Sequence, residues 1–283
     1  MELRNNNHIR IGELPSLKIL SISDIVFHED YNEERVANLT ENMRRGNILK
    51  NPPVVATHQT QGSYILLDGA NRLTALKSLD ISDVVVQVID LDDPGLLILN
   101  WHHAVEGVVK ETFLNMITKI PEFSIKANEL HKFENQSNNL LCQIQFFDGS
   151  IYNVHARSDM PLRVLDLHKV TELYRGPRCM DRVSYTNLEH LKHNYSNFSC
   201  LIVFPQFTKG ELVQLTAEKL KIPSGLTRII LPKRALRLNV PLDILRFRVS
   251  ADQKNHWLQN RINEQIKDKS IRFYREPTFL FDE

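Results

Sequence analysis

The segment that most constrains this chain runs from Tyr64 to Ile89. A short apolar run, Tyr64-Ile65-Leu66-Leu67, breaks at Asp68-Gly69, and Leu73, Leu76 and Leu79 then recur at helical spacing ahead of a second apolar run, Asp83 to Ile89. This order predicts strand, tight turn, helix, strand. A glycine directly after a strand lets the backbone turn sharply, and the unpaired N–H groups that open the next helix then favour an anion at the turn. Arg72 adds a planar cation for phosphate oxygens. Asp68 is out of place beside phosphate unless a cation intervenes, which points to Mg²⁺ held jointly by a carboxylate and phosphate oxygens.

Around this unit, Lys18 to Ile25 predicts a strand, and Asn32 to Arg45 predicts a helix with Val36, Leu39 and Met43 on one face, ending at Gly46. After the breaker Asn51-Pro52-Pro53, Val54 to Thr57 and Ser63 to Leu67 predict a hairpin around a polar turn from Gln59 to Gly62. The acidic, breaker-containing Leu91-Asp92-Asp93-Pro94-Gly95 is the best domain boundary, giving a first domain over residues 1–95 and a second mixed α/β domain over 96–283. In that second part, Leu140 to Phe147 and Ile151 to His155 predict a hairpin around Asp148-Gly149-Ser150. Leu201 to Phe204 and Thr227 to Leu231 predict strands, and Glu211 to Leu220 and Gln253 to Ile266 predict helices, the last with Trp257, Leu258 and Ile262 on its apolar side. The class is α/β of the mixed, α+β kind.

A chain of 283 residues supports two medium-sized cores. Its 35 basic and 34 acidic side chains leave a net charge of +1, so no overall field draws it to nucleic acid or an anionic membrane. Cys142, Cys179 and Cys200 are far apart and lack metal-type spacing, and read as reduced thiols. The most apolar windows, Val84 to Ile89 and Leu96 to Trp101, are too short to span a bilayer, and a cytoplasmic location with no membrane partner is expected. Among the eleven histidines the only close pairs are His102-His103 and His190 with His193, a weak basis for a metal or haem site.

Residue types alone leave two readings open: Asp68-Gly69 as phosphate turn or ordinary turn, and Glu29 as a base or as a solvated carboxylate in the run Glu29-Asp30, Glu33-Glu34. The run Tyr64 to Lys77, with Asp68-Gly69-Ala70-Asn71-Arg72 at its centre, resembles the nucleotide-binding box of ParB and sulfiredoxin-like proteins. Within that superfamily the chain most resembles the free L-serine kinases. Phe27-His28-Glu29 is similar to the segment bearing their catalytic glutamate, and Trp101-His102-His103 is similar to their substrate segment. Pro223-Ser224-Gly225-Leu226-Thr227-Arg228, with Arg234 and Pro241-Leu242, is similar to their carboxy-terminal signature.

The resemblance implies a ParB/sulfiredoxin-like first domain and transfer of the terminal phosphoryl group of ATP or ADP to free L-serine, with Mg²⁺, for siderophore or cysteine synthesis. It casts Glu29 as general base, helped by Asp68, which also holds the metal. Gly69, Ala70, Asn71, Arg72 and Thr74 bind the nucleotide. Trp101, His102, His103, Thr227, Arg228 and Arg234 bind substrate, with Arg228 and the Thr227 hydroxyl taking the serine carboxylate. Asn71 departs from the histidine common at its position and cannot become cationic. The alternative is a ParB-like, nucleotide-switched DNA-binding or haem-responsive regulator. DNA binding needs a helix-turn-helix and a basic surface, and neither is evident in the sequence. Sulfiredoxin chemistry needs a cysteine in the turn, where Ala70 and Asn71 stand. The choice between ATP and ADP, the pathway and the oligomeric state are not encoded in any motif.

Overall fold

In a computed structural model describing residues 14–57, 62–128, 139–176 and 180–274, the amino-terminal apolar runs assemble into a five-stranded sheet. Its elements in chain order are β1 (Ser16–Ser21), β2 (Ile25–Phe27), α1 (Glu33–Gly46), the two-residue β3 (Ile48–Leu49), β4 (Val54–Thr57), β5 (Tyr64–Asp68), α2 (Ala70–Ser78) and β6 (Asp83–Asp90). The five strands lie in the order β1-β6-β4-β5-β2, with β3 outside the sheet.

The run Lys18 to Ile25, expected as one strand, is cut by a 3-10 turn at Ile22–Asp24, whose start is capped by the Ser21 hydroxyl accepting the Ser23 N–H. As a result β1 and β2 occupy opposite edges of the sheet. The short link between them reaches about 13 Å, whereas five flat strands would set the edges about 19 Å apart. The sheet therefore curls. The expected hairpin forms as β4 against β5, with Thr57 opposite Tyr64, while residues 58–61 of its turn lie outside the described residues.

The rest of the chain adds β7 (Leu97–Asn100), β8 (His102–Glu106), α3 (Lys110–Thr118), β9 (Ser124–Ala127), β10 (Leu140–Phe146), β11 (Ile151–His155), α4 (Met160–Glu172), β12 (Met180–Val183), α5 (Leu188–Asn194) and β13 (Phe198–Val203). It ends with α6 (Lys209–Ala217), β14 (Thr227–Ile230), β15 (Val240–Pro241), α7 (Leu242–Arg246) and α8 (Ala251–Lys267). A second sheet runs β12-β8-β13-β10-β11-β9, and two small ladders join β14 to β7 and β15 to β3.

The period-2 alternation of strands gives the first sheet two buried faces. Val54, Ala56, Ile65 and Leu67 pack into one core with Phe113, Ile144 and Phe146 around the second sheet. Val55 and Leu66 turn the other way, to Leu73 and Leu76 of α2 and to Leu242, Leu245, Leu258 and Ile262 near the end of the chain. The carboxy-terminal helices thus return to the first sheet. There the Asn255 side chain accepts the Ile19 N–H at 2.8 Å and donates to the Ile19 carbonyl at 2.9 Å, occupying the free edge of β1.

Cys142 and Cys200 are buried and unpaired, and burial pushes both thiols upward, that of Cys200 to about 12. Cys179 lies outside the described residues. No helix among the described residues is long and apolar enough to cross a membrane.

Candidate active site

The turn after β5 is shaped by Gly69. Its φ is +110°, and a Cβ there would stand 2.8 Å from Cβ of Pro53. Helix α2 then starts without a side-chain cap, and its first internal bond is from the Leu73 N–H to the Gly69 carbonyl at 2.9 Å. The N–H groups of Ala70, Asn71 and Arg72 are therefore available to an anion. The side-chain oxygen of Asn71 accepts the Asn32 N–H at 2.8 Å, tying the turn to the start of α1.

Arg72 braces the same turn. Its Nη1 donates to the carbonyls of Asn51 (3.0 Å) and Pro52 (3.2 Å), and its Nη2 to Oδ2 of Asp68 at 2.8 Å. Arg234 pairs with that same carboxylate oxygen. Burial acts to raise the Asp68 pKa, but the two guanidiniums outweigh it and hold the carboxyl below its ordinary range. Both contacts fall on Oδ2, which leaves Oδ1 without a partner among the described residues.

Glu29 is brought to the turn by a short parallel pairing that continues β2. The Ile222 N–H donates to the His28 carbonyl at 3.0 Å and the Asp30 N–H to the Ile222 carbonyl at 2.9 Å. That pairing sets Gly225 and Thr227 against the Glu29 carboxylate: Oε1 accepts the Gly225 N–H, and Oε2 accepts the Thr227 N–H (3.1 Å) and meets its hydroxyl. Three groups of the carboxy-terminal signature thus hold one carboxylate.

Behind them, His28 is 2% exposed. Its Nδ1 lies 2.6 Å from the Leu66 carbonyl, which can only accept, so Nδ1 carries a proton. Burial lowers the pKa of this ring despite the pull of Glu29, keeping it neutral, and its unprotonated Nε2 lies 3.0 Å from the Thr227 hydroxyl. That hydroxyl has one hydrogen. The charged Glu29 carboxylate accepts it on Oε2; once the carboxyl carries a proton of its own it can donate to Thr227 instead, and the hydroxyl is then free to turn to His28.

These two centres face one cavity of about 750 Å³. Glu29, Asp68, Gly69, Ala70, Asn71, Arg72, Trp101, Thr227, Arg228 and Arg234 all line it. Arg228 stacks on Trp101, with its guanidinium carbon 5.2 Å from the ring centre. Three expected site residues do not line it. The Thr74 hydroxyl donates to the Ala70 carbonyl at 2.9 Å, one turn into the helix. His103 is 1% exposed and bonded to the Tyr174 hydroxyl and the Gly225 carbonyl, and burial lowers its pKa to about 4. His102, its neighbour on β8, is half-buried, and burial lowers its pKa too. His28, Arg35, Asn38, Asn42, Arg182 and Ser224 join the lining without having been singled out as site residues. Five arginines and three acidic side chains in the lining make the cavity a receptor for an anion.

Fold and cavity together define a mixed α/β protein built around an anion-receiving pocket. No family model matches the chain. Among proteins of known activity, it is similar to the ATP-dependent L-serine kinase SbnI of Staphylococcus aureus, with 23% identity over 98% of this chain and all of that one. It is also similar to an ATP-dependent L-serine kinase of Staphylothermus marinus, with 25% identity over 81% of this chain and 90% of the relative. Its fold matches that of a carboxy-terminally truncated SbnI at a TM-score of 0.71 and 20% identity, over 88% of this chain and 96% of that one. A glutamate-to-alanine variant of a free serine kinase in complex with ADP matches at 0.67 and 13% identity, over 81% and 93%. The resemblance to the L-serine kinases read from the motifs is borne out along most of the chain, as is the mixed α/β class.

Proposed function

We propose that the protein is an L-serine kinase that moves the terminal phosphoryl group of ATP or ADP to the serine hydroxyl, giving O-phospho-L-serine. The observation that carries this reading is the shared cavity: a carboxylate held for proton abstraction, Glu29, opens onto the same space as the uncapped start of α2 and the cluster Asp68-Arg72-Arg234. The similarity to ATP-dependent L-serine kinases supports it.

In this reading the N–H groups of Ala70, Asn71 and Arg72 receive phosphate oxygens, and Arg234 turns from Asp68 toward the transferred group. Mg²⁺ fits the donor set, because Oδ1 of Asp68 has no partner among the described residues and this ion is commonly held by one or two carboxylates plus phosphates. When bound it neutralises charge on the phosphate oxygens. Glu29 takes the proton from the serine hydroxyl, and the protonated carboxyl then completes the line of hydrogen bonds through Thr227 to His28. Trp101 and Arg228 wall the substrate end. A phosphorylated serine carries a good leaving group on its β-carbon, which suits it to feed a replacement reaction on the way to cysteine or to a siderophore precursor, and a cytoplasmic setting matches use of free nucleotide.

The test is to incubate the purified protein with L-serine, Mg²⁺ and either ATP or ADP and to follow phosphoserine by mass spectrometry. Product should appear with at least one donor and only when serine is present. No phosphoserine with either donor, from protein that binds nucleotide, overturns the reading.

A further inference from the structure

We propose that Arg182 is the receptor for the carboxylate of the amino-acid substrate, an assignment that rests on the kinase reading above. Arg182 sits on β12, an edge strand of the second sheet, opposite His103 on β8, and its side chain lines the cavity. Its guanidinium lies flat against Gly225, where φ is +84° and where any Cβ would overlap the guanidinium. The glycine leaves the slot that the arginine fills.

Among the described residues Arg182 has no ion-pair partner, and the acids around it are already engaged. Asp181 accepts the backbone N–H of Arg182 at 2.8 Å on Oδ1 and the Tyr195 hydroxyl at 2.7 Å on Oδ2. The Glu29 oxygens are taken by Gly225 and Thr227. The other cavity arginines differ: Arg72 and Arg234 close on Asp68, Arg228 stacks on Trp101, and Arg35 is exposed on α1. Holding a half-buried guanidinium without a carboxylate disfavours the empty site, and an arriving carboxylate relieves that.

Position settles which carboxylate this is. In serine the hydroxyl and the carboxylate are separated by only two carbons, so a hydroxyl presented to Glu29 brings the carboxylate close to Glu29 as well. Arg182 lies against Gly225, whose N–H binds Glu29, whereas Arg72 and Arg234 close on Asp68. The cavity therefore has two cationic ends, one for phosphate and one beside the base. A planar fork of donors suits a carboxylate at the second end, and it selects an α-amino acid over an amino alcohol.

The experiment compares the full-length protein with Arg182→Met, Arg182→Lys and Arg228→Ala. L-Serine and ethanolamine, which keeps the hydroxyl and amine but lacks the carboxylate, are each titrated calorimetrically with ADP present and assayed for phosphotransfer. Arg182→Met should weaken serine binding and raise its KM by about 10- to 100-fold with kcat within a few-fold, leave ethanolamine unaffected and keep ADP affinity. Arg182→Lys should fall in between. A serine KM unchanged in Arg182→Met, a loss confined to kcat, or a loss of serine preference only in Arg228→Ala overturns the assignment. Should ADP affinity also fall in the methionine variant, the same serine-to-ethanolamine ratio in the lysine variant decides. Wild-type protein that binds serine through Arg182 but never phosphorylates it would end the kinase reading and leave the carboxylate receptor standing.

Discussion

The hydroxyl of Thr227 stands 3.0 Å from Nε2 of His28, and its other contact is the Glu29 carboxylate. One hydroxyl hydrogen cannot serve both neighbours, so the line from His28 to Glu29 gains a hydrogen bond when Glu29 accepts a proton. Thr227→Val keeps the shape of the side chain and removes that hydroxyl. It removes the hydroxyl's hydrogen bond to the Glu29 carboxylate and the polar neighbour of the buried Nε2 of His28, a cost of about 1 to 3 kcal/mol in stability, readable by denaturant titration. Turnover should drop by about 10- to 100-fold while the serine KM changes little. A change in KM alone would remove Thr227 from proton transfer.

Glu29→Gln tests the base directly. The amide oxygen can still accept the Gly225 N–H, so the loop at Ser224 to Thr227 has the means to stay in place. With no group left to take the serine proton, turnover is expected to fall by at least about 100-fold, with nucleotide affinity preserved. Initial rates and ADP titration check both halves, and a near-normal rate rules the carboxylate out.

Asp68 carries a prediction about acid. Its pKa in the folded chain is held down by Arg72 and Arg234, so its contribution to stability is present above the unfolded value near 4 and is lost as the pH falls through the lower folded value. Thermal midpoints of the wild type should therefore drop below about pH 4 more steeply than those of Asp68→Asn. The same variant should lose turnover by at least about 100-fold if Asp68 holds the metal. Parallel midpoint curves for the two proteins would mean that the paired arginines do not stabilise the carboxylate in solution.

Local patterns made part of this architecture legible. The turn at Asp68-Gly69, the hairpin of β4 and β5 and the helix α8 follow from apolar period and from Gly or Pro punctuation, all within a few residues. Contacts across the chain were not. Glu29 meets Thr227 at a separation of 198 residues, and nothing in the spacing of either segment announces the other. Resemblance supplied the residues but not their geometry. His102 and His103 illustrate the limit: adjacent residues on a strand point to opposite faces, so a motif naming both cannot put both in the cavity. Thr74 bonds back to its own helix for a similarly local reason. Arg182 was missed because a single arginine on a four-residue edge strand has no pattern.

Gly69 joins sequence to site most tightly. Gly69→Ala forces a side chain into positive φ and against Pro53. A loss of about 1 to 3 kcal/mol in stability is expected, together with weaker ADP binding, because the N–H groups opening α2 move with the turn. Denaturant titration and calorimetry read the two effects, and unchanged ADP affinity in the folded variant would place the phosphates elsewhere.

The carboxy-terminal helix offers the converse test, a change that should lower stability and spare chemistry. Lys254 is 3% exposed, and its ammonium reaches Oδ2 of Asp83 at 2.5 Å and the Leu245 carbonyl at 2.6 Å, so it joins α8 to α7 and to the start of β6. Neither partner is among the residues that line the cavity. Lys254→Met keeps the apolar stem but leaves the Asp83 carboxylate and a carbonyl without their donor, and breaking one side of a buried pair costs about 3 to 5 kcal/mol. The variant should unfold at much lower denaturant yet, while folded, turn over serine at close to the wild-type rate. If turnover fell in proportion to lost stability even where the variant is fully folded, α8 would have to be coupled to the site through the first sheet, and the separation drawn between the fold's anchor and its chemistry would not hold.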